Sequence, residues 1–447
     1  MQEAVTIIGA GLAGCEAALW LAGQGVRVTL YDQKPAGDAL SKDIHPAYKT
    51  TALAELVCSN SLKAERLASA GGLLKAEMRL LGSRLLPVAD ACRVAAGGAL
   101  AVDRNAFAAG VTALVEAEPN ITLVREEVTA LPRDGVTLVA SGPLTQGPLA
   151  EDIAVQCAGA AENSTGSLLS FYDAAAPIVT ADSLDMEKIF AASRYGRGDD
   201  DYLNCPFDKA GYEAFYTALT GAERAPLHDF DTPVTHYEGC MPVEVLAARG
   251  PDTLRYGPLK PVGLTDPRTG HRPWACVQLR AENAEGTLYN LVGFQTNLKF
   301  GEQKRVFGMI PGLENAEFAR YGVMHRNTFL NSPAVLNGAF ALKNAPQVFF
   351  AGQITGFEGY MESAACGLLA ARSALRALRG ETFVSPPRDT MTGALAAYIA
   401  TPNKNFQPMG ANMGLLPPLA EKIKGKQARY EQLAERALAA LRAWEGL

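Results

Sequence analysis

The apolar positions near the N-terminus follow a strand period first and a helix period next. Residues 4–8 (AVTII) are apolar and β-branched, and a glycine-rich turn at 9–14 (GAGLAG) follows at once. Residues 15–23 are rich in Ala and Leu at helical spacing, and a second strand-like run at 26–31 (VRVTLY) ends at Asp32. A strand, a glycine turn, a helix and a strand that ends in a carboxylate are typical of a dinucleotide-binding βαβ unit.

The turn supplies the residues that such a unit needs for its ligand. Gly9, Gly11 and Gly14 allow the backbone to approach a pyrophosphate, and the N-terminus of the following helix faces that negative charge. Asp32 lies 23 positions after Gly9. We expect it to accept a hydrogen bond from a ribose hydroxyl.

A second glycine cluster lies far downstream. Residues 348–352 (VFFAG) predict a buried strand, 353–360 (QITGFEGY) a turn and 361–378 a helix. One nucleotide-binding turn suits NAD, whereas two turns at opposite ends of the chain suit the longer FAD. The alternative is a glycine-rich loop that merely closes a sheet. The FAD hypothesis adds four residues to the predicted cofactor site: Gly352, Gln353, Gly359 and Tyr360.

Composition narrows the class of protein. The chain has 447 residues with 48% hydrophobic and 20% charged side chains, which predicts a globular protein of more than one domain. It contains no apolar run of 18 residues and no secretory signal at its start, so we expect a cytoplasmic protein that does not enter a membrane. No two of its eight cysteines are closer than 34 positions, which argues against a metal site and a disulfide framework.

The net charge of −6 at first argues against a polyanion as partner. Residues 182–232, however, hold eleven acids and five bases, and this stretch accounts for the whole deficit. Residues 255–326 hold ten bases and six acids, and residues 388–447 hold eight bases and five acids. An RNA partner therefore remains open. The last of these stretches also contains a helical pattern at 419–444, which predicts one long amphipathic helix.

Several blocks of sequence together resemble the folate- and FAD-dependent tRNA (uracil-5-)-methyltransferases of bacteria. The resemblance covers almost the whole chain and weakens at 41–48, 182–232 and the C-terminal helix. The blocks are 56–62 (LVCSNSL), 97–104 (GGALAVDR), 171–179 (FYDAAAPIV), 237–244 (YEGCMPVE), 257–264 (GPLKPVGL), 294–296 (FQT), 309–318 (MIPGLENAEF) and 321–327 (YGVMHRN). Gly352-Gln353 also fits, where many flavoenzymes have Gly-Asp.

The resemblance implies a reaction. A T-loop uridine of tRNA would become 5-methyluridine, with 5,10-methylenetetrahydrofolate as carbon donor and with FAD reduced by NADH or NADPH. A branch of the same family methylates ribosomal RNA, and ribosomal RNA is therefore the alternative target.

Uracil C5 is a poor nucleophile until a group adds to C6, and a thiolate is suited to that addition. The resemblance implies Cys240 as the C6 nucleophile. Cys58 would then assist, either as the base for the C5 proton or by protecting the adduct. Tyr360 would stack near the isoalloxazine. Six basic residues are candidate phosphate contacts: Lys260, Arg280, Lys299, Lys304, Arg305 and Arg326.

Three other functions remain open. A flavin oxidoreductase without an RNA substrate would leave both cysteine blocks unexplained. An RNA-binding module in which FAD has only a structural role would not need Cys240. A wobble-uridine modifier shares the Gly-Gln pair but lacks these cysteine blocks. The predicted fold is α/β, with an FAD-binding Rossmann-like domain split into 1–180 and 319–447. A smaller α+β domain that carries Cys240 is inserted at 181–318.

Overall fold

The computed structural model describes most of the chain. The described residues are 3–37, 39–40, 44–45, 47–159, 168–174, 176–196, 199–225, 241–283, 285–403, 406–421 and 423–446. Cys240 lies outside them.

The first sheet combines N-terminal strands with strands from the last third of the chain. Its members, in their order across the sheet, are β16 (Ala341–Leu342), β17 (Ala345–Phe350), β7 (Val136–Val139), β1 (Ala4–Ile8), β2 (Arg27–Tyr31) and β6 (Ile121–Val124). All neighbours are parallel except β16 and β17. This is the split Rossmann-like arrangement that the two glycine turns predict, and the predicted α/β class is confirmed.

Two helices that begin at the glycine turns pack against each other beside this sheet. They are α1 (Leu12–Gly23) and α11 (Tyr360–Leu378), and both are buried along most of their length. At Gly367 a β-carbon would lie 2.2 Å from the carbonyl oxygen of Ala13, so a larger residue would push the helices apart. The two glycine turns are thereby held side by side.

The second sheet is antiparallel throughout. In order across the sheet, its members are β10 (Phe190–Ala191), β11 (Tyr202–Phe207), β12 (Ala275–Ala281), β13 (Leu288–Leu291), β9 (Ile178–Thr180) and β14 (Phe318–Arg320). Residues of the nearby α6 (Lys209–Thr220), α7 (Val243–Ala247) and α9 (Phe300–Phe307) share its separate apolar core.

A two-stranded ribbon joins the parts of the chain that carry the two sheets. The chain leaves the first part through β8 (Leu168–Ala174) and returns through β15 (Met324–Leu330), which pairs antiparallel with β8 along its whole length. Because β9 and β14 pair with each other in the second sheet, we propose an inserted unit bounded by this ribbon. The boundaries at 180 and 318 stay predictions.

A small sheet and the remaining helices complete the described fold. The sheet consists of β3 (Ser61–Ala64), β5 (Ala99–Val102) and β4 (Arg93–Val94). The other helices are α2 (Ala70–Leu80), α3 (Leu85–Ala91), α4 (Arg104–Ala117), α5 (Gly147–Ala158), α8 (Thr253–Tyr256), α10 (Ser332–Val335), α12 (Met391–Ala400) and α13 (Lys426–Glu445).

The C-terminal helix is shorter than its sequence pattern predicts. It begins at Lys426 rather than at 419, and Gly425, with φ of 91°, is its N-terminal cap. Gly425 lies inside the predicted span, and its positive φ interrupts a right-handed helix at that position. The prediction of a start at 419 was therefore wrong by about two turns.

Among the described residues, no helix combines the length and the apolar character that a membrane crossing needs.

Candidate active site

The first glycine turn forms the floor of a cleft of about 1150 Å³, a volume that includes the open mouth. Gly9 has a φ of 101°, and a β-carbon at Gly14 would lie 1.8 Å from the Gly9 carbonyl oxygen. Gly11 is the N-terminal cap of α1, with no side chain capping the helix and open space where its β-carbon would be. The first N–H groups of α1 therefore face space that a pyrophosphate can enter.

Asp32 lines the same cleft at the end of β2, as the sequence predicts. Its Oδ1 accepts a hydrogen bond from the Lys34 N–H at 3.0 Å, and its Oδ2 lies 3.6 Å from the Arg125 guanidinium. Burial raises the pKa of this carboxyl, and the positive charge of Lys34 opposes the shift. Oδ2 is buried and has no hydrogen-bond partner among the described residues. A ribose hydroxyl would satisfy it.

The second glycine segment reaches the cleft from the other side. Gly352, Gln353 and Tyr360 line it, and Gly359, with φ of 121°, caps the N-terminus of α11. The Gln353 side-chain amide donates to Glu358 Oε2 at 2.7 Å, so the glutamine in place of the usual acid has an acidic partner. The structure thus brings all eight predicted cofactor residues to one cleft or to the helix ends that border it.

Tyr360 links the cleft to the loop that carries Cys58. The backbone N–H groups of Cys58 and Ser59 both donate to the Tyr360 hydroxyl oxygen, at 2.7 and 3.1 Å. Val57, one residue before Cys58, lines the cleft. A ring that lines the cofactor cleft therefore also fixes the backbone of the half-buried cysteine.

Three arginines hold the same loop from three different elements. Arg104, at the start of α4, donates to the Leu56 carbonyl at 2.8 Å, and Arg320, in β14, donates to the Val57 carbonyl. Arg280, in β12, donates to the Ser59 hydroxyl at 2.9 Å, and its Nε donates to the Asn60 side chain at the same distance.

The arginines make the surroundings of Cys58 electropositive. The Cys58 side chain interacts electrostatically with all three guanidinium groups. Burial lowers the pKa of Arg280 and of Arg320, yet arginine remains a cation at neutral pH. Glu282 offsets part of this charge because its Oε2 accepts hydrogen bonds from Arg104 at 2.8 and 3.1 Å. Reactive thiols are found in environments of this kind.

Most of the other described cysteines are unsuited to thiolate chemistry. Burial raises the pKa of Cys157, Cys276 and Cys366 to about 12, and it raises the pKa of Cys15 and Cys205 as well. Cys92 is half-buried, and its pKa is raised by burial and by the charge of Asp103.

The predicted nucleophile, Cys240, lies outside the described residues, but the chain on both sides of its segment is described. The Ala225 N–H donates to the Asn297 carbonyl at 2.7 Å, and the Val243 N–H donates to the Gln295 carbonyl at 2.7 Å. The described chain on either side of residues 226–240 is thus bound to the same short stretch, residues 295–297.

The predicted phosphate contacts have mixed outcomes. Arg280 is only 6% exposed and donates to Ser59 and Asn60, so that prediction was wrong. Lys299 pairs with Glu223 at 2.6 Å, whereas Lys304 is exposed on α9. Sequence reasoning missed Arg320 and Glu282. Their partners, Val57 and Arg104, are distant in the chain, and no local pattern marks such contacts. Arg104 had a signal, since it ends the block at 97–104.

The fit to FAD rests on these observations. The cleft offers free helix N–H groups at one turn, an unsatisfied carboxylate oxygen at Asp32 and an aromatic ring at the second turn. Among the described residues no cluster of metal-binding side chains occurs. The class that this fold and cleft define is therefore that of FAD-binding flavoproteins with a split Rossmann-like domain.

Comparisons with known proteins narrow the class to a family. Residues 4–382 match the family of glucose inhibited division protein A. A protein of Geobacter sulfurreducens, named methylenetetrahydrofolate--tRNA-(uracil-5-)-methyltransferase TrmFO, is 58% identical over 99% of both chains. A protein of that name from Moorella thermoacetica is 57% identical over 98% of this chain and 97% of its own.

Solved structures agree at the level of the fold. Aquifex aeolicus GidA superposes with a TM-score of 0.67 at 15% identity, over 98% of this chain and 76% of the other. The chain thus belongs to the glucose inhibited division protein A family and, within it, to the methylenetetrahydrofolate--tRNA-(uracil-5-)-methyltransferases.

Proposed function

We propose that this protein methylates C5 of a tRNA uridine with 5,10-methylenetetrahydrofolate as the carbon donor. The structural observation that carries the proposal is the fixed position of Cys58, between an FAD cleft and three arginines. The names of the relatives supply the substrates. The T-loop as target, NADH or NADPH as reductant and the cytoplasm as location extend the same proposal.

The chemistry needs one thiolate and one proton acceptor. Addition of the Cys240 thiolate to C6 places electron density on C5, which then attacks the one-carbon unit. Loss of the C5 proton expels tetrahydrofolate and leaves a methylene on C5. Hydride addition to that methylene, with departure of the thiolate, then restores the C5–C6 double bond. We assign Cys240 to the addition because its block at 237–244 (YEGCMPVE) resembles that of the methyltransferase family.

Cys58 is suited to the second task. The hydrogen bonds to Tyr360 and the arginine contacts fix its backbone, while its side chain stays partly exposed. A fixed, half-buried thiolate beside cations can take a proton from a substrate carbon without a large rearrangement. We therefore propose that Cys58 removes the C5 proton.

The cofactor has one role in this scheme: bound FAD, once reduced, supplies the hydride that turns the methylene into a methyl group. The chain holds it with Gly9, Gly11 and Asp32 at the adenosine and pyrophosphate end. Gly352, Gln353 and Tyr360 hold the flavin end. Tyr360 would thereby link the residues that hold the flavin to the Cys58 loop, since its hydroxyl accepts hydrogen bonds from the N–H groups of Cys58 and Ser59.

The proposal is tested with purified holoenzyme, NADPH, carbon-labelled methylenetetrahydrofolate and tRNA that lacks T-loop methylation. We expect label in 5-methyluridine, loss of label by at least about 1000-fold in Cys240→Ala, and a similar loss in Cys58→Ala. Cys92→Ala is the matched control, because Cys92 is half-buried too, and it should retain activity.

Three results would contradict the proposal. NADPH consumption without label in any RNA would indicate a plain flavin oxidoreductase. Label that enters ribosomal RNA but not tRNA would show that the substrate is ribosomal RNA. Full activity of Cys240→Ala would show that Cys240 is not the nucleophile.

A further inference from the structure

Three aromatic rings form a stack that ends at the protein surface. The Phe318 and Tyr321 rings are stacked with centroids 5.0 Å apart and planes inclined by 7°. The Tyr321 and Phe300 rings are stacked at 4.7 Å and 20°. Phe318 and Tyr321 are half-buried, whereas Phe300 is 55% exposed. The stack therefore presents the free side of Phe300 to solvent.

The stack is rigid because its two segments are locked together. The Gln303 side chain, in α9, donates to the Gly322 carbonyl at 2.8 Å and accepts from the Gly322 N–H at 2.8 Å. Gln303 is fully buried. This pair of hydrogen bonds joins the helix that carries Phe300 to the residue after Tyr321, so the rings are preorganised to receive a planar group.

The stack stands next to the Cys58 loop. Arg320 precedes Tyr321 in the chain, and its guanidinium donates to the carbonyl of Val57, the neighbour of Cys58. None of the three rings lines the FAD cleft. The stack is thus linked to the Cys58 loop through Arg320, and it is separate from the cofactor cleft.

The segment that carries Phe300 has a small excess of positive charge. Lys299, Lys304 and Arg305 are exposed on either side of Phe300. Glu223 and Glu302 pair with Lys299 and Arg305. Lys304 has no ion-pair partner within the part of the chain that the structure describes. A planar ligand attached to a negatively charged backbone matches this combination of ring and cations.

We propose that Phe300 stacks an unpaired nucleobase of the RNA substrate, one that flanks the target uridine. The inference rests on the proposed function. Chemistry at C5 and C6 requires the target base to leave its stack, and its neighbour then loses a stacking partner. Single-stranded RNA is commonly recognised by bases stacked on aromatic side chains. The Phe318–Tyr321–Phe300 stack would replace the missing partner.

The test uses holoenzyme and a T-arm hairpin RNA with 2-aminopurine next to the target uridine. In the wild type we expect quenching of the fluorophore on binding, as stacking requires. Phe300→Ala should weaken RNA binding by roughly tenfold and abolish the quenching. Phe300→Trp should preserve both, because tryptophan retains the stacking surface.

Two controls separate base stacking on Phe300 from a general effect of trimming an exposed apolar side chain and from a damaged flavin site. Val155→Ala truncates an apolar side chain that is 71% exposed on α5, and it should leave RNA binding unchanged. NADPH-driven flavin reduction without RNA should be the same in Phe300→Ala and wild type, since Phe300 lies outside the cleft.

The proposal is overturned if Phe300→Ala binds and quenches like the wild type while the wild type methylates RNA. It is also overturned if Phe300→Ala keeps its RNA affinity but needs far more methylenetetrahydrofolate, which would assign the ring to the folate. A wild-type protein that neither binds nor methylates RNA would instead refute the proposed function.

Discussion

At the scale of single residues, position 353 needs a hydrogen-bond donor because its neighbour is a carboxylate. Gln353 donates an N–H to the carboxylate of Glu358, and both residues belong to the turn before α11. An acid at 353 would face a second acid at hydrogen-bond distance. Glu358, five residues later, therefore explains the departure from the usual Gly-Asp pair. The sequence contains this glutamate but does not show that its carboxylate contacts Gln353.

Exchanging Gln353 for an acid should weaken FAD binding in a pH-dependent way. In Gln353→Glu the two carboxylates can stay in contact only when one of them binds a proton, and this becomes harder as pH rises. We expect more FAD to be retained at pH 6 than at pH 8, measured by flavin absorbance after gel filtration. The double variant Gln353→Glu/Glu358→Gln restores a donor–acceptor pair and should remove the pH dependence. Equal FAD loss in single and double variants would contradict this explanation.

At the scale of elements, the start of α12 depends on a carboxylate from a distant helix. Glu77, in α2, is buried, and its oxygens accept hydrogen bonds from the N–H groups of Met391 and Thr392 at 2.7 and 2.8 Å. Burial raises the pKa of Glu77 from 4.5 to about 7, although these hydrogen bonds oppose the shift. The capping of one helix by another is thus coupled to a proton.

This coupling predicts a stability change across mildly acidic pH. The folded protein holds the Glu77 proton up to about pH 7, whereas the unfolded chain loses it near pH 4.5. The free energy of unfolding should therefore fall as pH rises from 4.5 to 7, by up to about 3 kcal/mol from this residue. Chemical denaturation of wild type and Glu77→Gln at several pH values measures the effect. A difference between the two proteins that is independent of pH would contradict it.

Much of the first sheet could be predicted from the sequence because its information is local. The run from Ala4 to Asp32 contains the strand period, the turn glycines and the helix in one stretch, and the structure reproduces each. The arginine contacts to the Cys58 loop could not be predicted in the same way. Arg320, in β14, is an ordinary basic residue until the fold brings it to the same loop as Arg104, and Arg280 was misassigned for that reason.

At the scale of the whole molecule, charge is unevenly distributed. The acids of 182–232 account for the net charge of −6, while 255–326 has a basic excess that includes the surface around Phe300. A sum over the chain therefore says little about the face that meets RNA. Long-range attraction depends on the local patch, and salt screens it.

RNA binding should weaken steeply with salt. We expect the dissociation constant for unmodified tRNA to rise roughly tenfold or more between 50 and 200 mM salt, as phosphate contacts release counterions. Lys304→Ala should reduce the slope of log K against log salt by about 1. Arg133→Ala removes an exposed charge near the first sheet and should not change the slope. A dissociation constant that does not change with salt in the wild type would show that the basic surface around Phe300 does not bind RNA phosphates.

The antiparallel ribbon of β8 and β15 indicates where the second sheet enters and leaves the rest of the chain. Ala174 and Met324 are paired across the ribbon, so their α-carbons are about 5 Å apart. A tight turn of a few residues is enough to connect them. The whole second sheet thus occupies the place of a hairpin tip, where a foreign segment can enter without breaking any strand of the host. Excision of the stretch between Ala174 and Met324, with a Gly-Asn turn in its place, should leave a protein that still folds and binds FAD, as flavin absorbance after gel filtration would show.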